Sequence, residues 1–319
     1  MGNDLLSDAL ALVRLSGALV LEIDINGPGG IASCPLPGKL LPMLPAGTTH
    51  VIALHVVLEG SGWIRQGSGP WVLLPAGHAA ILPHGGRHEL CDRPGRMTVA
   101  FETLLDGPGL SGLRHVCVGA ATGAPLRLLC GMLGCDRRAF EPLCSALPPM
   151  FEVDLGAHMD TLVDQATDNA LDDSPGAAGL RGRYAELLFL SALRLHMLGL
   201  SADATGWLAG LRDPLVGRAL QALHAQPSRH WTMDQLAVRL ACSRSALAER
   251  FRATIGEPPM HYLARLRMQV AARRLDESRH SVARVAEEVG YDSTAAFQRA
   301  FKRRFGVPPA TWRRGVAAS

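Results

Sequence analysis

Three groups of residues have types and spacings suited to chemistry. His50, His55, Glu59, His78, His84 and His88 crowd into one short stretch of the N-terminal half. Imidazole and carboxylate donors at that density are ligands that Zn²⁺ or Ni²⁺ accepts. Strand and turn histidines lining a ligand cavity give the same pattern. Cys117, Cys130, Cys135 and Cys144 form a second group, spaced C-x12-C-x4-C-x8-C. A structural zinc site favours closer pairs, and only the middle spacing comes near, so buried inert thiols are the plainer reading. Cys91 lies close to His88 and would react as a thiolate if that imidazole were protonated beside it. The third group is written twice. "SRSALAERFRATIGEPP" starts at Ser243 and "STAAFQRAFKRRFGVPP" at Ser293, an offset of 50 residues. On a helix, Leu247, Phe251 and Ile255 in the first copy, and Phe297, Phe301 and Phe305 in the second, share an inward face. The outward face then carries Ser243, Arg244, Ser245, Ala248, Glu249 and Arg252, and Thr294, Ala295, Gln298, Arg299, Lys302 and Arg303. Arginine bonds guanine and glutamine bonds adenine in bidentate fashion. Lys302, Arg303 and Arg304 suit phosphate contacts.

The charge balance singles out the same region. The 319-residue chain carries a net +3. Met1 to Arg212 holds 14 Lys/Arg against 20 Asp/Glu, a balance of −6, whereas Asp213 to Ser319 holds 18 against 9, a balance of +9. Basic charge confined to one segment points to a polyanion partner for it. Seven cysteines, an odd number without short paired spacings, do not make a secreted disulfide framework. No basic start leads into an apolar run, and no apolar run approaches 18 residues, so a soluble cytoplasmic protein is expected.

The elements that must hold these residues differ between the two halves. From about Gly17 to Leu105, short apolar or alternating runs are cut by Pro75, Gly77, Pro83, Gly85 and Gly86, which predicts strands closing into a sandwich or barrel. Helical spacing begins after Asp136. In "RGRYAELLFLSALRLHML", Tyr184, Leu187, Leu188, Leu190, Leu195 and Leu198 give a broad apolar face, fit to cap the β-domain or to pair with another subunit. "LSADATG" reads as an interdomain linker. Beyond it, "TMDQLAVRLAC" and "SVARVAEEVGYD" each place a helix just before a copy of the repeat. Thr232, Ser243 and Ser293 stand at N-cap positions, and Gly290 is a stop. Each unit is therefore helix, tight turn, helix, with the second helix shaped for a major groove. Between the copies, Tyr262, Leu266, Val270 and Leu275 stripe one long helix able to set both units about 34 Å apart on one DNA face.

The C-terminal 100 or so residues resemble the AraC/XylS transcription regulators. The resemblance rests on Gly290-Tyr291, Ser293, Phe297, Arg299, Phe301-Lys302, Phe305-Gly306, Pro308-Pro309 and Trp312-Arg313. It implies two helix-turn-helix units on a connecting helix. It makes Ser243, Arg244, Ser245, Glu249, Thr294, Ala295, Gln298, Arg299 and Lys302 the base-facing residues. Glu249 departs from the basic or amide residue usual there. The N-terminal part is similar to the cupin-type sensor domain of one branch of that family, through "LHVVLEGSGWI", "LLPAGHAAILPHGGRHEL" and "LLCGML". Metal-dependent cupins use a His-x-His pair, a Glu and a distal His. Here Ala53 and Ala80 stand at two of those places, while His55 and Glu59 fit.

Together these readings predict a multidomain α+β chain. A cupin-like β-barrel with following helices occupies 1–200 as sensor and dimerisation domain. An all-α double helix-turn-helix DNA-binding domain occupies 213–319. The expected function is sequence-specific transcription regulation, with promoter DNA and RNA polymerase as partners. A small molecule or oxidant is the expected effector, and the protein a cytoplasmic homodimer. DNA contacts fall to Ser243, Arg244, Ser245, Glu249, Arg252, Thr294, Ala295, Gln298, Arg299, Lys302 and Arg303. Ligand contacts fall to His55, Glu59, Trp63, His84 and His88, and redox roles to Cys91 and Cys130. No enzyme activity, cofactor or metal is expected; were a metal held, His55, Glu59, His84 and His88 are its candidates. The competing reading is a metal-binding or redox-sensing cupin with metalloenzyme activity, fused to a DNA-binding module.

Overall fold

The computed structural model describes residues 15, 18–33, 44, 48–105, 115–119, 126–135, 143–144, 146–156, 160–171, 174–201 and 203–316. Cys34 lies outside the described residues. The chain divides into two compact units, one within 12–199 and one within 200–319.

In the first unit the described residues form eleven strands: β1 (Ala18–Ile25), β2 (Gly30–Ser33), β3 (His50–Glu59), β4 (Ser61–Gln66), β5 (Val72–Pro75), β6 (His78–Leu82), β7 (His88–Cys91), β8 (Thr98–Ala100), β9 (His115–Val118), β10 (Leu126–Cys135) and β11 (Phe151–Asp154). They make two sheets, ordered β11-β6-β3-β10-β1-β9 and β5-β4-β7-β2-β8. Pairing is antiparallel except for β1 with β9 and β2 with β8. The chain passes from one sheet to the other at tight corners between β3 and β4 and between β5 and β6. Gly60 joins β3 to β4 at φ 80°, a left-handed backbone that only glycine adopts cheaply. Its carbonyl accepts from Ala76, and Gly77 donates to Val57, so the two corners lock together. Alternation drives Leu21, Ile23, Ile25, Val57, Ile64, Leu74, Leu90 and Leu128 into one core between the sheets.

Helices α1 (Asp160–Leu171) and α2 (Ala177–Gly199) follow and pack on the six-stranded sheet. The buried face of α2 is Ala185, Leu188, Phe189, Ala192 and Leu193, whereas Leu187 and Leu198 are 47% and 56% exposed. The expected leucine-rich face is therefore rotated. Alanines at i and i+7 let the helix approach the sheet closely, and Phe189 supplies the bulk. A reading weighted by leucine passes over them.

The second unit is helical: α3 (Trp207–Arg212), α4 (Pro214–Ala225), α5 (Met233–Leu240), α6 (Arg244–Ile255), α7 (Pro259–Glu277), α8 (Val282–Glu288), α9 (Thr294–Phe305) and α10 (Pro309–Val316). Thr232 and Gln235 form a capping box on α5. The hydroxyls of Ser243, Ser281 and Ser293 accept backbone N–H bonds at the starts of α6, α8 and α9. Two cores result. One joins Val216, Leu220, Leu223, Leu236, Leu240, Leu247, Phe251, Tyr262 and Leu266. The other joins Met268, Ala271, Leu275, Val285, Val289, Phe297 and Phe301. α7 feeds both, with Val270 packed against each. Ile255 and Phe305 are half-buried at the ends of their helices.

The repeat is not uniform. Thr232, Leu236, Ala237 and Leu240 match Ser281, Val285, Ala286 and Val289 at an offset of 49, while the following helices match at 50. The second turn thus holds one more residue. Its left-handed position is Gly290 at φ 82°, where the first turn uses Ala241 at φ 53°.

Candidate nucleic-acid interface and barrel interior

The outward faces of α6 and α9 hold the residues singled out in the sequence. Ser243, Arg244, Ser245, Glu249 and Arg252 are exposed on or at the cap of α6. Ala295, Gln298, Arg299, Lys302 and Arg303 are exposed on α9, with Thr294 half-buried at its first position. Phe297 and Phe301 are fully buried behind them and fix the rotation of α9. The side chains of Arg299 and Lys302, both exposed, make no hydrogen bond or ion pair among the described residues, so their charges face solvent. Arg244 pairs with Asp234 at 3.2 Å, but both side chains are mostly exposed, and such a pair is easily exchanged. The Ser243 hydroxyl is already committed to the Ala246 N–H.

Two structural residues behind this surface were missed as such in the sequence. Asp213 caps α4 by accepting from Leu215 and Val216, and it accepts from Arg250 Nε at 2.6 Å. Burial opposes its charge, but these bonds outweigh it and hold the carboxyl below its ordinary range. The Asp-Pro pair at 213–214 is the signal that could have marked this cap. Arg267, on α7, donates to three backbone carbonyls: Pro227 at 2.8 Å, Arg229 at 2.8 Å and Gly290 at 3.1 Å. It ties the approach to the first helix-turn-helix unit to the turn of the second. In sequence it is one more arginine in a basic stretch.

Inside the β-domain, three of the predicted residues converge. His55 Nδ1 lies 3.0 Å from Cys130 Sγ, and His55 Nε2 lies 2.8 Å from His88 Nε2. His88 Nδ1 lies 2.8 Å from the Gly86 carbonyl. That carbonyl only accepts, so His88 Nδ1 carries the proton and its Nε2 accepts from His55. His55 Nδ1 is then an acceptor for the Cys130 thiol. Burial lowers the pKa of both histidines, with His88 adding to the effect on His55. The chain is therefore neutral. Burial also pushes the Cys130 thiol far up.

The other predicted residues lie elsewhere. A β-bulge at Leu58, opposite Arg127 and Leu128, turns Glu59 outward to Arg127. Trp63 and Cys91 face each other across β4 and β7, on the side opposite Ile64 and Leu90. Burial and then Asp92 push the Cys91 thiol up to about 11. Three residues apart on one strand, His88 and Cys91 point to opposite faces. His84 bonds the Leu147 carbonyl and Cys144. Ala53 and Ala80 point into the core, and His55 turns a different ring nitrogen to His88 and to Cys130, so these three do not bring one ligand atom each to a common centre among the described residues. The interior thus does not fit a cupin metal set. An open cleft of ≈ 290 Å³ beside His88 is lined by Arg65, Gly67, Ser68, Arg87 and Glu89.

The described residues thus form a two-sheet β-domain, and paired helix-turn-helix units on one connecting helix. Residues 4–198 match the cupin family, and residues 236–315 match a helix-turn-helix domain family. A Streptomyces lividans protein named as an AraC-like transcription regulator is 40% identical over 199 residues, covering 61% of this chain and 66% of that protein. The RCS-specific HTH-type transcriptional activator RclR of Escherichia coli K12 is 26% identical over 301 residues, covering 94% and 98%. The DNA-binding domain of AdpA, a global transcriptional factor solved with a target DNA, is 31% identical and covers 33% of this chain and 95% of that one, with a TM-score of 0.32. The chain belongs to the cupin family through residues 4–198 and carries a helix-turn-helix domain over residues 236–315, and relatives that it matches are named as AraC-like transcription regulators. No helix among the described residues is long and apolar enough to cross a membrane.

Proposed function

We propose that the protein is a cytoplasmic, homodimeric regulator whose 213–319 segment reads two adjacent major-groove segments of promoter DNA. Its 1–200 segment senses an effector, and RNA polymerase is its partner at the promoter. The observation that carries this is the solvent-facing set Gln298, Arg299, Lys302 and Arg303 on α9, held on the same connecting helix as the exposed face of α6. In this reading Arg299 and Gln298 meet base edges, as do Arg244, Ser245, Glu249, Thr294 and Ala295. Ser243, Arg252, Lys302 and Arg303 hold the backbone. The second unit carries more of the electrostatic affinity, because α6 places Ala248 and Glu249 where α9 has Gln298 and Arg299. The outer leucines of α2, among them Leu180, Leu187 and Leu198, support the dimer.

A small-molecule effector is favoured over an oxidant. Both candidate thiols, Cys91 and Cys130, are buried and held as thiols rather than reactive thiolates. The metalloenzyme reading is disfavoured because Glu59 faces away and alanines stand at two ligand positions. No catalytic role is assigned. The test is binding of the full-length protein to promoter and random duplexes over a range of salt. Preference for promoter DNA, with log affinity falling steeply against log salt, supports the reading; equal affinity for both duplexes refutes it.

A further inference from the structure

The outer side of the β1–β9 pair brings together three metal-ligand side chains that lie far apart in sequence. β9 is the edge strand of the six-stranded sheet and runs parallel to β1, with Glu22 opposite His115 and Asp24 opposite Cys117. Ile23, Ile25, Val116 and Val118 enter the core. Alternation therefore turns Asp24, His115 and Cys117 to the other side, where His115 and Cys117 are exposed and Asp24 is half-buried. One ligand atom from each of the three lies within 4.8 Å of the other two. His115 Nε2 is 3.0 Å from Asp24 Oδ2. Ligands about 2.0–2.3 Å from a tetrahedral ion sit roughly 3.3–3.8 Å apart, so small side-chain rotations bring all three onto one centre.

A second observation points the same way. Asp24 Oδ1 is buried and accepts no hydrogen bond among the described residues. The cation beside it, Arg127 Nε, is 3.6 Å away, and the terminal nitrogens of that guanidinium are taken by Glu22 and Glu59. A buried carboxylate oxygen without a donor is what a bound cation satisfies.

We propose that Asp24, His115 and Cys117 form a site for one divalent transition ion of borderline-soft character, Zn²⁺ foremost, at the β1–β9 edge. The donor set is one carboxylate, one imidazole and one thiolate. Two negative charges balance a divalent ion, and the thiolate and imidazole select against Mg²⁺ and Ca²⁺. Three protein ligands leave a fourth position for water or a small ligand. The ion would fasten the edge strand to β1, the strand on which α1 and α2 pack. This site is separate from the barrel interior and does not depend on DNA recognition.

The test uses full-length protein, stripped with a chelator and kept reduced, titrated with Co²⁺ and then with Zn²⁺ against a chromophoric competitor. The expected result is one equivalent of metal and a thiolate-to-cobalt charge-transfer band. Cys117→Ser should remove that band. His115→Gln should weaken zinc by more than the roughly 10–100-fold that loss of an outer-shell partner costs. Cys130→Ser should leave both unchanged. Both ligand variants alter exposed positions, and a thermal melt without metal should match that of the unaltered chain. Absence of the band in the unaltered chain, its survival in Cys117→Ser, or its loss in Cys130→Ser alone would overturn the proposal.

Discussion

Replacing Arg267 should loosen the DNA-binding unit without touching its surface. The guanidinium lies half-buried on α7 and donates to carbonyls of Pro227, Arg229 and Gly290. Net, a hydrogen bond involving a charged group contributes about 1.5–3 kcal/mol. The Arg229 contact is exposed and is discounted. Burial also lowers the Arg267 pKa, so desolvation offsets part of the remaining gain. Two bonds at the low end leave about 3 kcal/mol lost in Arg267→Met. For a unit of roughly 100 residues that is a fall of about 12–24 °C in its melting temperature. Arg267→Lys should recover little, because an ammonium cannot fork to three separated carbonyls. Gly290→Ala attacks the same junction from the other side. It strains a φ of 82° and sets a Cβ 2.3 Å from the Ser228 carbonyl oxygen. Calorimetry of the full-length chain should show the C-terminal transition falling in these variants. Affinity for DNA carrying both groove segments should fall with it. A shift in Arg267→Met equivalent to under about 0.5 kcal/mol, within the range of ordinary surface changes, would refute the clamp.

Other expected outcomes are as follows. Arg299→Ala should cost about 1–3 kcal/mol at one base position, whereas Lys302→Ala should weaken all sequences alike and lower the salt slope by about 1; binding assays on single-base variants of the site separate the two. Phe301→Ala should destabilise the second helix-turn-helix core by about 3–5 kcal/mol, since Phe301 is fully buried among Phe297, Phe305 and Trp312; denaturant melts report it. The β-domain should lose stability in acid. His55 and His88 have folded pKa values below the ordinary value, so the unfolded chain binds more protons once pH drops below about 6.5. Stability then falls with pH, by at most about 1.4 kcal/mol per unit for each histidine that stays neutral. His88→Gln should flatten that slope in urea melts at pH 7 and pH 5. Among the described cysteines, alkylation of the native chain should reach exposed Cys117 well before buried Cys91 and Cys130; peptide mass mapping gives the order.

What was legible in the sequence was local. Ser243 and Ser293 announce caps, the Phe297-Phe301-Phe305 spacing announces a buried helix face, and the outward residues follow by rotation. Tyr262, Leu266, Val270 and Leu275 marked the connecting helix, and the structure adds that the one stripe serves two cores. Long-range placement was not legible. Strand alternation carried forward from His55 would turn Glu59 inward, and the bulge at Leu58 reverses it, a change set by pairing with Arg127 and Leu128 nearly 70 positions away. The convergence of Cys130 on His55 depends on register between β3 and β10. The meeting of Asp24 with His115 and Cys117 depends on a parallel edge pairing. Neither leaves a spacing in the chain. Arg267 looked like surface charge because its three acceptors are backbone carbonyls, which no side-chain pattern reveals.

The most direct test of the central claim is a hydroxyl-radical footprint of the full-length protein on sites recovered from genomic DNA. Two recognition helices on one connector predict two protected segments, about 10–10.5 base pairs apart on one face of the duplex, with Arg299→Ala weakening one segment selectively. A single protected segment, or protection no stronger than on random duplex, would contradict it.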